Sequence, residues 1–313
     1  MTSPLQQIRH PAAKKADVEL WCKRDDLYTA ATGTALQGNK VRKLEPVILA
    51  ALAAPMKPLL FSFGGAFSNH LSAIATAGRV YNLPVVVFVR GEEADNPVLD
   101  QARADGAELI LISRSEYRMK GDHGWLLAKR KEIAARYDIP KTSAWPVPEG
   151  GSAPGAAESV GKLYLEIVEE LGSVPDYVCL SAGTGCSAAG VISAASSATH
   201  VEVYPALKGN WMTKEIIGFL PNIEGKNWSC ISDYHFGGYA RFPKEWVSES
   251  NLSRSTSPGT RALALIADIS QPGMPPLDPV YNAKLFYGVL DRIRKGVYTR
   301  GSTVVVVHSG GIY

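Results

Sequence analysis

Short runs of β-branched and aromatic residues alternate along the chain with longer stretches of helical period. That alternation predicts an α/β protein with mostly parallel sheets flanked by helices on both faces. Strands are expected at 58–63 (PLLFSF), 85–89 (VVVFV), 108–112, 177–180, 201–205 and 303–307 (TVVVV). Helical patterns fall at about 68–82, 96–105, 125–137, 156–171 and 188–196, with an amphipathic helix starting near Lys40. The stretch 149–155 (EGGSAPG) breaks the pattern, and 228–276, rich in Ser, Gly and Pro, reads as loops and short helices over a cleft.

The chain has 313 residues, enough for about two domains of ~150 residues each. With 33 Lys and Arg against 30 Asp and Glu, its net charge of +3 points to neither a nucleic-acid nor a membrane-surface partner. Four cysteines (22, 179, 186 and 230) show no CxxC spacing, which argues against a zinc site or a disulfide framework and fits a reducing cytoplasm. Neither a signal peptide nor an apolar run of membrane-spanning length is evident, so the expected location is cytoplasmic.

Three constellations could carry chemistry. In the first (GNKVRKLE, 38–45), Lys40 follows a Gly-Asn turn at a helix start. It is either a surface lysine or one kept partly neutral by burial and the helix dipole, hence an amine nucleophile able to form a Schiff base. The second is FGGAFSNH (63–70), a strand-to-helix turn. Ser68 and Asn69 there suit either helix capping or anion binding, and His70 suits either a helix surface or acid–base work. The third is SAGTGCSAAG (181–190), where Gly183 and Gly185 free the backbone, Thr184 and Ser187 add hydroxyl donors, and a helix follows: the physics of a phosphate cradle. With Ala188 it also meets a loose G-x-G-x-x-G/A pattern, and Glu202 about twenty residues on leaves a dinucleotide reading open. Beyond these, Asp278 is a plausible cap for a helix opening at DPVYNAK (278–284), HFGGY (235–239) could place the Tyr239 hydroxyl over a site, and HSGG (308–311) follows the last strand.

KRDDL, GNKVRKLE, GGAFSNH, PEGGS, GTGCSAAG, DPVYNAK and HSGG occur in the order found in the pyridoxal-phosphate-dependent 1-aminocyclopropane-1-carboxylate deaminase/D-cysteine desulfhydrase family, and the chain resembles that family from about residue 4 onward. The resemblance implies the tryptophan-synthase-β-like fold, fold type II, with two α/β lobes and the cofactor between them. A larger lobe would comprise 1–45 and 146–313, with a smaller one, 46–145, inserted. It also implies a homodimer. Lys40 matches the Schiff-base lysine, Ser68 the active-site serine and Asn69 the residue facing the ring hydroxyl. Gly183, Thr184, Gly185, Cys186 and Ser187 match the phosphate loop, Tyr239 and Tyr281 match hydroxyls near the substrate, and Asn282 falls where a group faces the pyridine nitrogen. Ser68, Asn69, His70 and Ser309 would face the substrate, and no metal is implied.

Two departures bear on substrate. Members that open the cyclopropane ring resemble one another in carrying Glu at the position of Asn282 and Leu at that of Ser309, whereas desulfhydrase-like members share SNH. Asn282 also departs from the Thr or Ser usual in desulfhydrases, and Cys186 from a common Gly. An uncharged group cannot hold the pyridine nitrogen protonated as a carboxylate can, which suits β-elimination with a good leaving group. The expected reaction is therefore deaminating elimination from D-cysteine or a similar small amino acid, giving pyruvate, ammonia and sulfide. The alternatives are cyclopropane ring opening, an NAD-dependent oxidoreductase resting on Gly183, Gly185, Ala188 and Glu202, and a non-catalytic relative.

Overall fold

The computed structural model describes residues 2–66, 68–91, 96–238, 241, 273–278 and 280–311. The chain divides into two compact units, Met1–Tyr28 with Ala157–Ile312, and Thr29–Ala156.

The larger unit is built on a sheet of β1 (Leu5–Gln7), β2 (Glu19–Lys23), β7 (Tyr177–Ala182), β8 (His200–Pro205), β9 (Trp228–Cys230) and β10 (Thr303–Val307). Its order is β1-β2-β10-β7-β8-β9, with only β1–β2 antiparallel, so the last strand in sequence lies inside the sheet. The period of two decides the two faces. Val304 and Val306 pack with Leu20 and Cys22 under α1 (Pro11–Ala16) and α10 (Asn282–Arg294). Val305 and Val307 join Val178, Leu180, Val201 and Val203 under α7 (Ala156–Leu171), α8 (Cys186–Ala194) and α9 (Met212–Phe219).

The smaller unit has a parallel sheet of β3 (Leu59–Gly65), β4 (Val85–Arg90), β5 (Glu108–Ile112) and β6 (Ala144–Pro146), in the order β5-β4-β3-β6. Val85, Val87 and Val89 face α2 (Asn39–Ala53), α3 (Asn69–Tyr81) and α4 (Pro97–Ala104). Val86 and Phe88 face the side covered by α5 (Arg114–Arg118) and α6 (His123–Arg136), where Phe63 stacks on Phe88.

The unit boundaries differ from the expected 45/46 and 145/146. Leu44, Ile48 and Ala51 of α2 share one core with Leu71 and Ile74 of α3, so α2 and its Lys40 belong to the smaller unit. β6 and the Val147 N–H, which donates to the Phe61 carbonyl at 2.8 Å, carry that unit on toward residue 156. Among the described residues no helix is long and apolar enough to cross a membrane.

Candidate active site

Two helix starts in the smaller unit carry expected site residues. α2 opens behind Gly38 (φ 61°) with no side-chain cap and no acidic residue in its first turn. Lys40 sits in that turn, half-buried, and its Nζ donates to Asn39 Oδ1 at 3.1 Å. α3 opens at Ser68, whose Oγ accepts the His70 N–H at 3.3 Å, so Ser68 is a helix cap. Ser68 and Asn69 are both half-buried.

His70 turns inward. Ser62 Oγ gives its single hydrogen to the Val147 carbonyl at 2.7 Å, so in the 2.7 Å contact between Ser62 Oγ and His70 Nε2 the imidazole donates. His70 is therefore the neutral Nε2–H tautomer. Its buried Nδ1 has no partner among the described residues and lies against Gly151. Burial, together with the nearby ammonium groups of Lys40 and Lys43, holds its pKa well below the usual imidazole value. Through Nε2 the ring ties α3 to Ser62 of β3, whose hydroxyl in turn binds the segment after β6. The signal for Ser62 was present in sequence: it is the one polar residue in the run PLLFSF.

In the larger unit the 183–187 loop leads from the end of β7 into α8. Gly185 adopts a left-handed φ of 84° and precedes α8 with no side-chain cap. Thr184 and Ser187 are half-buried, and Cys186 is fully buried. The Tyr281 ring borders Gly183, where a Cβ would meet its hydroxyl at 3.2 Å. α8 is seated directly on α7: a Cβ at Gly190 would stand 2.1 Å from the Ala157 carbonyl oxygen.

α10 begins at Asn282, later than the sequence implied. Asp278 caps the turn before it, accepting the Val280 N–H at 3.0 Å, the Tyr281 N–H at 2.8 Å and the Asn282 N–H at 3.0 Å. Burial pushes the Asp278 carboxyl pKa up, opposed by these N–H donors. The Asn282 side chain, expected at the pyridine nitrogen, has its amide fully engaged inside the unit. Nδ2 donates to Asp278 and to the Gly310 carbonyl (2.8 Å); Oδ1 accepts the Ser309 N–H (3.0 Å) and hydroxyl (3.4 Å). Both amide hydrogens and both oxygen lone pairs are used, so Asn282 holds the loop after β10 and has nothing left for a ring nitrogen. Ser309 itself is half-buried, and Tyr239 lies outside the described residues.

Glu202 is not a ribose ligand. It is buried and accepts from Tyr298 (2.7 Å), Tyr204 (2.8 Å), Arg292 (2.6 Å) and the Cys179 thiol (3.7 Å). The dinucleotide reading loses its carboxylate. All four cysteines are free thiols, and among the described residues no group of three or more His, Cys, Asp or Glu could hold a metal ion.

A family model described as pyridoxal-phosphate dependent enzyme matches residues 2–210. A putative 1-aminocyclopropane-1-carboxylate deaminase of Pyrococcus abyssi is 30% identical, over 99% of this chain and 89% of the relative. A bifunctional D-cysteine desulfhydrase/1-aminocyclopropane-1-carboxylate deaminase of Arabidopsis thaliana, a mitochondrial protein, is 27% identical, over 94% of this chain and 72% of the relative. The solved structure of an ACC deaminase homologue superposes with a TM-score of 0.75 at 22% identity, covering 100% of this chain and 90% of that one. The chain belongs to the pyridoxal-phosphate-dependent enzyme family, and its fold is fold type II. Its cofactor is pyridoxal phosphate. Each unit by itself carries a feature that suits part of that group: in the larger unit the glycine loop before α8, closed to a Cβ at Gly183 and free of a side-chain cap at Gly185, suits a phosphate, and in the smaller unit Lys40 is an amine at a helix start.

Proposed function

We propose that the chain is a deaminating lyase whose preferred reaction is β-elimination from D-cysteine or a similar β-substituted alanine. Lys40 would hold the cofactor through its amine and would move the substrate's α-proton. Ser68 and Asn69 hold the substrate carboxylate at the start of α3, Asn69 also facing the cofactor's ring hydroxyl. The amides and hydroxyls of Gly183, Thr184, Gly185, Cys186 and Ser187 hold the phosphate. Tyr239 and Tyr281 present hydroxyls near the substrate, and Ser309 faces the substrate. Bound pyridoxal phosphate supplies an electron sink for the pair left when the α-proton is removed. The carbon–sulfur bond then breaks, sulfide departs, and hydrolysis of the remaining enamine yields pyruvate and ammonia.

The observation that carries this choice is the Asn282 amide, uncharged and wholly committed to Asp278, Ser309 and Gly310. Without a carboxylate at that position the electron sink is weaker, which favours a substrate with a good leaving group over one that must break a carbon–carbon bond. A second reading, ring opening of 1-aminocyclopropane-1-carboxylate, draws support from the names of the Pyrococcus and Arabidopsis relatives. Keto-acid release separates the two. D-cysteine should give pyruvate and sulfide at a kcat/KM at least about tenfold above that for the cyclopropane substrate; comparable or faster release from the latter would replace the first reading with the second. A homodimer is the assembly proposed from the family resemblance, and sedimentation of the full chain tests it.

A further inference from the structure

Lys284 lies on the buried side of α10 and has no part in the chemistry above. Its ammonium donates to three backbone carbonyls: Gly238 at 2.7 Å, His235 at 3.0 Å and Ala206 at 3.3 Å. An ammonium has three N–H groups, and all three are spent. A second amine nucleophile, the other use of a buried lysine, would have to release one of these carbonyls. Two of the acceptors are the ends of a single turn, 235–238, and the third follows β8.

That turn is unusual in its backbone. Phe236, Gly237 and Gly238 have φ values of 51°, 93° and 126°, three positive values in succession, the first at a residue with a bulky side chain. Such a conformation persists only where its surroundings over-determine it. Here His235 Nδ1 accepts the Gly237 N–H at 2.9 Å, and the His235 carbonyl accepts the Gly238 N–H at 3.0 Å. The Phe236 ring meets the Tyr287 ring of α10 edge-on at 5.5 Å. Lys284 and Tyr287, one turn apart on α10, thus grip the turn from one side.

We propose that Lys284 is a positioning residue: it locks the 235–238 turn through the His235 and Gly238 carbonyls and so fixes the backbone up to Gly238, the residue that precedes Tyr239 in sequence. The inference rests on the proposed role of Tyr239 in the reaction.

Hydrogen exchange on the full-length holoenzyme without substrate reads the lock directly. The Gly237 and Gly238 amides should be protected in the wild type, and Lys284→Met should speed their exchange by about tenfold or more while β7 and β10 stay protected. Lys284→Gln, which keeps two N–H donors, should fall between. Free exchange of both amides in the wild type, or unchanged exchange in both variants, would overturn the proposal, and the wild-type measurement needs no variant to fold. Kinetics add the link to Tyr239: Lys284→Met should lower kcat/KM in the wild type but cause no further loss in a Tyr239→Phe background. Losses that multiply across the two sites would overturn the link. Wild-type turnover by Tyr239→Phe alone would remove the role of Tyr239, while exchange still decides whether Lys284 locks the turn.

Discussion

Asn282 Oδ1 accepts the backbone N–H of Ser309 at 3.0 Å, joining the first residue of α10 to the loop that follows β10. The same amide donates to the Gly310 carbonyl, so its orientation is set by one donor and one acceptor of the same loop. Asn282→Asp keeps the shape but sets a carboxylate against the Gly310 carbonyl and the Asp278 carboxylate. The variant should lose about 2–4 kcal/mol in urea denaturation. A loss below about 0.5 kcal/mol would mean that Asn282 is not holding the loop.

Acid should destabilise the protein through His70. Its folded pKa is depressed by burial, whereas the unfolded chain takes up a proton near the usual value of 6.5. The unfolded state therefore binds more protons below that value, and the contribution present above pH 6.5 is lost as the pH falls through it, by up to about 1.4 kcal/mol per pH unit. His70→Gln can still donate to Ser62 and does not titrate. Denaturation at about pH 7.5 and about pH 5.5 should show a smaller acid loss for the variant; equal losses would show that His70 does not titrate as a buried neutral group.

Lys284 should leave a signature of the same sign in a higher pH window. Burial lowers its pKa to about 8, against an opposing pull from Asp278, while the unfolded value is 10.5. Between those values the unfolded state binds more protons, so stability from this group rises with pH across the window. The stability difference between wild type and Lys284→Met should shift toward the wild type between about pH 8 and about pH 10. A difference that stays flat across that range would contradict the depressed value.

Gly190→Ala places a methyl 2.1 Å from the Ala157 carbonyl oxygen, with backbone on both sides of the contact. α8 must move off α7, at a cost of about 3 kcal/mol or more. Since the start of α8 is the proposed phosphate holder, affinity for pyridoxal phosphate should fall with stability. Wild-type melting together with wild-type cofactor affinity would show that α8 is free to shift.

What was legible in the sequence depended on how local the cause was. The runs 85–89 and 303–307 declare themselves through consecutive β-branched residues, and the glycine loop at 183–187 through its composition. β1, β6 and β9 are three residues each, too short to show a period, and β2 ends in Lys23, a residue that reads as surface. Lys23 is in fact buried because Glu166, at 3.1 Å, and Glu170 meet it from α7, some 140 residues away. Distant partners also fix Lys284, which binds the carbonyls of Ala206, His235 and Gly238, Glu202, which accepts from Arg292 and Tyr298, and Asn282, which reaches Ser309 and Gly310 besides its near neighbour Asp278. The motif around Asn282 was visible; that its amide is committed inward was not, because the loop it binds carries no complementary side-chain pattern.

The central claim is that Lys40 is the amine that carries the cofactor. Borohydride reduction of the protein reconstituted with pyridoxal phosphate, followed by mass spectrometry of its peptides, tests it directly. The account predicts a visible absorption band that disappears on reduction, a stable adduct on the Lys40 peptide, and neither in Lys40→Ala. A protein that stays colourless with added cofactor, or an adduct on Lys43 or Lys284 instead, would contradict it.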